Sequence, residues 1–378
     1  MEGASNVLSA IATAARKRIG WSTLTGGASL AIVAVSAVAL YKLLHGIDLR
    51  SFVAALKAQS PHTLLLASGF VAASYFMLTC YDVFALRAIG RKAIPYWAAA
   101  LASFTSYTIG HNFGATVLAA GVIRYRIYAF WGLRIRDIAA IAVITSLTYW
   151  LGNAFVLGFG LLVAPEAVGA LDQLPMPGNR LIGLVLLAGL AGYFLWLLAG
   201  PRRIGRSHWQ MVIPGPWSML VQISIASLDL VFVALAMHVL LPPQPALHFV
   251  QLLTIFAIAL LIGVASHAPG SLGVMEAVML LGLPQFKKEE LLACLLTFRL
   301  LYFVLPFAVA VLLLGLREFR KVFEGIRSKQ RSFASRYAWR RIMGPPAAEK
   351  ARGLARAHSD PARRSHRRAG EETLYGDR

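Results

Sequence analysis

Charge is what this sequence has least of. Only 14% of its 378 residues are Asp, Glu, Lys or Arg, while 58% are hydrophobic; a soluble domain carries about a quarter charged residues. That deficit excludes an ordinary soluble globular domain. Cysteine is nearly absent too. The two present, Cys80 and Cys294, lie inside apolar runs, which excludes a disulfide framework and a cysteine-built zinc site. No lysine is followed by Ser or Thr, so there is no Walker A loop, and neither HExxH nor GxSxG occurs. The nine histidines are scattered without metal-ligand spacing. The familiar signatures of an ATP-driven pump, a zinc protease and a serine hydrolase are therefore missing. No catalytic residue, metal or cofactor is expected.

What is present is apolar length. Runs at Ser22–Leu44, His62–Leu86, Ile138–Val163, Leu181–Ala199, Trp217–Leu241 and Leu291–Leu316 each match the roughly 20 residues that cross a hydrocarbon core of about 30 Å. Two further stretches, Tyr96–Ala120 and Phe249–Leu283, are interrupted by Gly, His, Asn and Pro. The chain reads as a polar, basic lead over 1–21, a membrane body over 22–316 and a tail over 317–378. The first run is long enough to stay as an anchor rather than be cleaved as a signal peptide. In the tail, Phe319, Val322, Phe323 and Ile326 fall on one helical face, as in a basic amphipathic surface helix. Gly344-Pro345-Pro346 ends it, and the remainder has a disordered composition.

The net charge is +20, of which the last 62 residues hold +10, from seventeen Lys/Arg and seven Asp/Glu. A basic segment beside a span belongs on the cytoplasmic side. Nucleic-acid binding is the other reading of such a tail, but nothing there resembles a nucleic-acid-binding fold.

Ionisable residues inside spans are functional candidates because each costs several kcal/mol to insert. Asp82, Asp229 and Arg299 lie within runs, and Glu276 follows the break His267-Ala268-Pro269-Gly270-Ser271-Leu272-Gly273. They either pair to hold helices in register or also line a polar path. Arg299 is expected to pair with Glu276 or Asp229. Gly110-His111-Asn112-Phe113-Gly114 reads either as a helix-packing face or as an unwound point that frees backbone groups. Arg124-Tyr125-Arg126-Ile127-Tyr128, with Trp131, Arg134 and Arg136 after it, has the composition of a headgroup-level anchor. Arg124 and Arg126 could equally hold a lipid phosphate.

These residues carry a resemblance. The stretch Ser103–Trp150, with Asn112, Gly114, Gly121–Tyr128, Trp131-Gly132-Leu133 and Ser146–Gly152, resembles the transmembrane region of the lysylphosphatidylglycerol synthase/flippase family. His267–Glu276 is similar to that family's His-x-Pro-Gly-Gly-Leu-Gly-x-x-Glu signature, with Ser271 where Gly is commoner. Phe298-Arg299-Leu300-Leu301-Tyr302, then Pro306, resembles its last-span Tyr-Arg-x-x-Tyr-x-x-x-Pro pattern, with Phe298 replacing Tyr. The likeness runs through most of residues 60–316. Two-part members add a soluble aminoacyl-transferase domain, and this chain has a basic tail in its place.

The resemblance implies a transporter rather than an enzyme: a flippase of a bacterial inner membrane, moving an anionic or aminoacylated phospholipid between leaflets. Arg124 and Arg126 would meet the lipid phosphate at the inner surface. Asp82, Asn112, Asp229, His267, Glu276, Arg299 and Tyr302 would line the substrate path, and Gly110, Gly114, Pro269, Gly270 and Gly273 would form the breaks. Expected partners are membrane phospholipids and a second copy in a homodimer, not nucleic acid. A membrane-embedded transferase acting on lipid-linked substrates and a membrane scaffold are the alternatives.

Charge counting sharpens the topology. If every run crosses once from a cytoplasmic N-terminus, the loop with Arg124, Arg126, Arg134 and Arg136 falls outside. So does the loop with Arg202, Arg203 and Arg206, while the loop with Glu166 and Asp172 falls inside. All three violate the positive-inside rule. Two re-entrant hairpins, Tyr96–Ala120 from the cytoplasm and Phe249–Leu283 from outside, remove the violations and keep both termini cytoplasmic. The expected fold is an all-α polytopic membrane protein of six full spans and two oppositely directed broken hairpins. It forms an inverted repeat with Asp82 and Asp229 at related places. Single cysteines at Gly132, Gly169 and Gly205, without Cys80 and Cys294, should react with a membrane-impermeant thiol reagent at 169 alone. Labelling at 132 and 205 instead would overturn the topology.

Overall fold

The computed structural model describes residues 59–113, 116–200, 203–204, 211–212, 214–266 and 269–317. The expected span Ser22–Leu44, the N-terminal lead and the tail beyond 317 lie outside the described residues. Within them run helices α1 (Pro61–Ala88), α2 (Tyr96–Phe113), α3 (Thr116–Tyr128), α4 (Ile135–Val163), α5 (Met176–Leu198), α6 (Pro216–Leu240), α7 (Phe249–Ala265), α8 (Val274–Gly282) and α9 (Lys288–Arg317). Five of these, α1, α4, α5, α6 and α9, are long and apolar enough to cross a membrane. They coincide with five of the six expected runs. Between α5 and α6, Arg203–Ile204 pairs antiparallel with Met211–Val212.

Helix starts follow local chemistry. Ser60 caps α1, its Oγ accepting from Thr63 N–H at 3.1 Å with Pro61 in the first turn. Asp137 sits in the first turn of α4 and accepts from Arg134 N–H at 2.9 Å, an anion placed at the positive end of the helix. α5 starts five residues before the apolar run, because Pro175 and Pro177 fix an N-terminal geometry there.

The four shorter helices form two hairpins, α2–α3 and α7–α8. Their bases lie at opposite ends of α4. At the first end, Trp97 of α2 packs on Trp131 with ring centroids 5.5 Å apart, and Arg91 reaches Asp137 at 3.1 Å. At the other end, Gln251 of α7 donates to Glu166, just past α4, at 3.0 Å, which holds that carboxyl below its usual range. The same end carries Gln59, whose Nε2 donates to the Leu240 carbonyl of α6 at 3.2 Å. α1 and α6 are therefore antiparallel neighbours. Among the described residues charge divides with the ends: Arg87, Arg91, Lys92, Arg134 and Arg136 lie with Asp137 at the first, while Glu166, Asp172, Glu289 and Glu290 offset Arg180, Lys287 and Lys288 at the second.

Close helix approach rests on small residues on α4. A Cβ on Gly152 would collide with Ala226 of α6, and one on Gly160 with Thr254 of α7, the small-residue packing that apolar surroundings favour. Buried polar groups tie the same helices. Gln222 of α6 donates to Thr148 Oγ1 of α4 at 2.8 Å, and Ser103 of α2 to the Leu78 carbonyl of α1 at 2.6 Å.

α9 is not uniform. It is α-helical to Arg299, widens into a π-turn over Leu300–Val304, then resumes. Pro306 is the cause, because it has no N–H for the Tyr302 carbonyl four residues earlier. Tyr75 of α1 takes over, its hydroxyl donating to that carbonyl at 2.9 Å. Tyr75→Phe should strand the carbonyl in a dry core and destabilise by about 1–3 kcal/mol. Pro306→Ala supplies the missing N–H, so the same change should cost less in that background. Thermal unfolding of the four proteins checks this, and equal penalties in both backgrounds would refute it.

Candidate functional site

The tip of the second hairpin is a tight turn. Gly270, Ser271 and Gly273 have φ of 60°, 51° and 79°, the left-handed region that favours glycine. Ser271 adopts it as well, which gives a physical reason for Gly being commoner at that place in the family pattern. Gly263 of α7 makes room, since a Cβ there would lie 2.6 Å from Ser271 Oγ. The turn leaves carbonyls without helical partners, and Arg299 of α9 collects them. Its Nη1 donates to Gly270 O at 2.8 Å and its Nη2 to Ser271 O at 3.1 Å. Nη2 also meets Glu276 Oε2 at 2.7 Å, and Nε pairs with Oε1 of the same carboxylate. Glu276 in turn caps α8 through Gly273 N–H at 2.9 Å.

The return limb of the first hairpin is held by the mirror chemistry. Arg124 of α3 grips Asp82 of α1 through Nε at 3.0–3.1 Å and Nη2 at 2.7 Å. Tyr128 donates to the same carboxylate at 2.7 Å, and the Tyr107 ring lies 4.8 Å from the guanidinium carbon. Both partners are buried, Arg124 at 3% exposure and Asp82 at 0%. Arg on the limb and acid on the long helix in one hairpin become acid on the limb and Arg on the long helix in the other.

The tips meet. Asn112, near the end of α2, donates to Thr108 O at 2.8 Å, while its Oδ1 has no hydrogen-bond partner among the described residues. That oxygen lies 3.9 Å from the Cβ position of Gly270. Beside them is a cavity of about 210 Å³ whose lining includes Tyr81, Tyr107, Arg124, Tyr149, Asp229 and Tyr302. His111 and Ser271 reach it from the two hairpins. Its rim is exposed, because Ser146 and Trp150 of α4 and Val264 of α7 line it and also face outward, Trp150 at 57% and Val264 at 42%.

Asp229 of α6 is buried. It accepts from Ser74 Oγ at 2.5 Å and from Tyr81 OH at 3.4 Å, both on α1. It does not pair with Arg299, so of the two acids considered for that arginine the geometry selects Glu276. The expected division into a surface phosphate site and a deep polar path is redrawn. Arg124 is not at the surface, because Asp82 needs a cation and draws it inward; its side chain lines the cavity. Arg126 is half-buried on α3. Of the expected path, Asp229 and Tyr302 line the cavity, whereas Asp82, Glu276 and Arg299 brace the hairpins behind it. Gly110 lies within α2 rather than at a break, and the helix runs on through Asn112 to Phe113. Pro269 opens the second tip turn. Gly114 and His267 lie outside the described residues. Sequence reading missed Ser74, Tyr81, Tyr107 and Tyr149. The available signal was tyrosine inside apolar runs, where each hydroxyl needs a partner or a cavity.

Arg299→Ala should strand the Glu276 carboxylate and two tip carbonyls, costing roughly 3–5 kcal/mol. Adding Glu276→Ala should recover part of that loss, whereas adding Asp229→Ala should not. Thermal denaturation of singles and doubles decides it, and strict additivity for Arg299 with Glu276 would sink the pairing.

No family model matches the chain. Relatives do. The uncharacterized protein slr0712 of Synechocystis is 33% identical over 249 residues, covering 65% of this chain and 76% of the relative. The inner membrane protein YbhN of Escherichia coli is 30% identical over 257 residues, covering 66% and 78%. With its apolar helices, the protein is thus a multi-pass inner membrane protein, and the chain belongs to the family that includes YbhN and slr0712.

Proposed function

We propose that the protein is a lipid transporter that carries a phospholipid between the leaflets of the inner membrane. One observation carries the reading: a polar, aromatic cavity sits where two hairpins from opposite ends meet, and its mouth opens sideways past Trp150 and Val264. A headgroup could enter laterally while its acyl chains stay in the hydrocarbon. The volume, about 210 Å³, is below the roughly 300–1,000 Å³ of pockets that enclose drug-sized ligands, so it suits a headgroup and not a whole lipid.

The architecture supports the same reading. Span, hairpin, span occurs twice, as α1, α2–α3, α4 and as α6, α7–α8, α9, with α1 and α6 antiparallel. Inverted repeats with broken helices meeting at mid-depth are a transporter design, in which one half rocks against the other. Both hairpins are re-entrant in this reading. The arginine-rich end faces the cytoplasm, with both termini on that side. The resemblance to the lysylphosphatidylglycerol flippase region points the same way. Arg124 then meets the lipid phosphate from inside the cavity, through the Nη1 that Asp82 leaves unengaged.

The test is reconstitution of the full chain in liposomes with a fluorescent phospholipid in both leaflets. A membrane-impermeant quencher should remove about half the signal from empty liposomes and clearly more from those holding protein. Ser146→Trp, which narrows the mouth, should return the signal toward one half. Unchanged protection would refute transport, and a changed lipid mass would instead indicate a transferase.

A further inference from the structure

Among the described residues Asp82, Asp137, Glu276 and Asp229 are the buried or half-buried carboxylates, and the first three meet an arginine, Asp137 through Arg91 at 3.1 Å. Asp82 faces Arg124, and Glu276 faces Arg299, each through two guanidinium nitrogens. Asp229 is the exception. It is 6% exposed and, among the described residues, receives two neutral hydroxyls, Ser74 and Tyr81. Among the described residues no Lys, Arg or His forms an ion pair with it. A charged group in such surroundings takes up a compensating charge or neutralises. Hydroxyl donors orient a carboxylate but do not cancel its charge.

The setting of Asp229 says where the cation comes from. Its side chain lines the cavity, and the aromatic rings of Tyr81, Tyr149 and Tyr302 line the same space. Tyr75, Tyr81, Tyr149 and Tyr302 all lie within electrostatic reach of the carboxylate. The hydroxyls of Tyr107 and Tyr149 make no close hydrogen bond among the described residues, with Thr145 and Arg124 near the first and Asn153 near the second. A carboxylate among tyrosine faces, with spare phenol oxygens as acceptors, is the chemistry that holds an ammonium. His111 and Arg124 are the basic side chains on the cavity wall. The latter is already matched by Asp82, so the wall as built holds one acid more than its paired cations satisfy.

We propose that Asp229 binds the primary ammonium of an amine-bearing phospholipid headgroup, with Arg124 Nη1 facing its phosphate. The inference rests on the lipid-transport reading and names the substrate class of that cavity. Ethanolamine phosphate is the smallest headgroup that presents both groups, and the cavity is headgroup-sized. An aminoacyl-glycerol phosphate presents the same chemistry on a larger frame.

Binding tests this separately from transport. The full-length purified protein is titrated with short-chain phosphatidylethanolamine, phosphatidylglycerol and lysyl-phosphatidylglycerol, followed by tryptophan fluorescence. A charge-assisted contact gives the ethanolamine lipid about tenfold or more tighter binding than the glycerol lipid. Asp229→Asn, which keeps the shape and an acceptor for Ser74, should bring the two within about twofold. If that variant does not fold, competition on the unmodified protein decides: free phosphoethanolamine should displace the bound lipid at lower concentration than glycerol phosphate. Tighter binding of the lysyl lipid than of the ethanolamine lipid would keep the ammonium site and assign its source to aminoacylated lipids. Equal affinity for glycerol and amine headgroups in the unmodified protein, or a preference that survives Asp229→Asn, would overturn the proposal. Amine preference without leaflet exchange would leave this site standing and remove the transporter reading; exchange without headgroup preference would do the reverse.

Discussion

The fold depends on keeping broken backbone satisfied where water is scarce. An interrupted helix leaves carbonyls that hydrocarbon cannot solvate, each costing several kcal/mol if unmet. Arg299 meets that demand at the second hairpin. Its guanidinium takes the Gly270 and Ser271 carbonyls and the Glu276 carboxylate together, so one side chain closes the turn and neutralises the acid that caps α8. A lysine could not do this, because a single ammonium lacks the planar fork that reaches three acceptors. The tip can then sit against Asn112 without unfolding the end of α2.

The two hairpins are clamped with opposite polarity; Glu276–Arg299 stands behind the cavity, whereas Arg124 of the other clamp also lines it. Asp82–Arg124 and Glu276–Arg299 are close to neutral units that fix limb positions. Tyr81, Tyr149, Tyr302 and Asp229 then present polarity on a frame already rigid. Tyr75 belongs to the frame, since its hydroxyl repairs the gap that Pro306 leaves in α9.

Most of the architecture was legible from apolar run length, because a span's identity depends on little else. The two short-helix hairpins were legible from Gly, His, Asn and Pro inside otherwise apolar runs. Partner choice was less so. Asp229 and Glu276 were equally good partners for Arg299 on paper, because spacing along the chain does not say which helix faces which. Arg124 looked like an interface residue since Tyr and Trp flank it. What outweighed that composition was Asp82, a buried acid needing a cation, and α3 was the limb that could bring one. Tyr302 was expected on the path, whereas Tyr81, Tyr107 and Tyr149 were missed because an isolated tyrosine in an apolar run reads as bulk.

The π-turn in α9 has a consequence for phase. It fits an extra residue into one turn, and each residue of an α-helix rotates the next by about 100°. Phe298, Tyr302 and Phe303 lie with the core around α6 and α7, whereas Phe307, Ala310 and Leu314 join a separate core with α2, α3 and α4. The wide turn is the gearing between these two faces. An α9 shortened by one residue between Leu300 and Val304 would be a more regular helix, and would point one of its two faces away from the core it now fills.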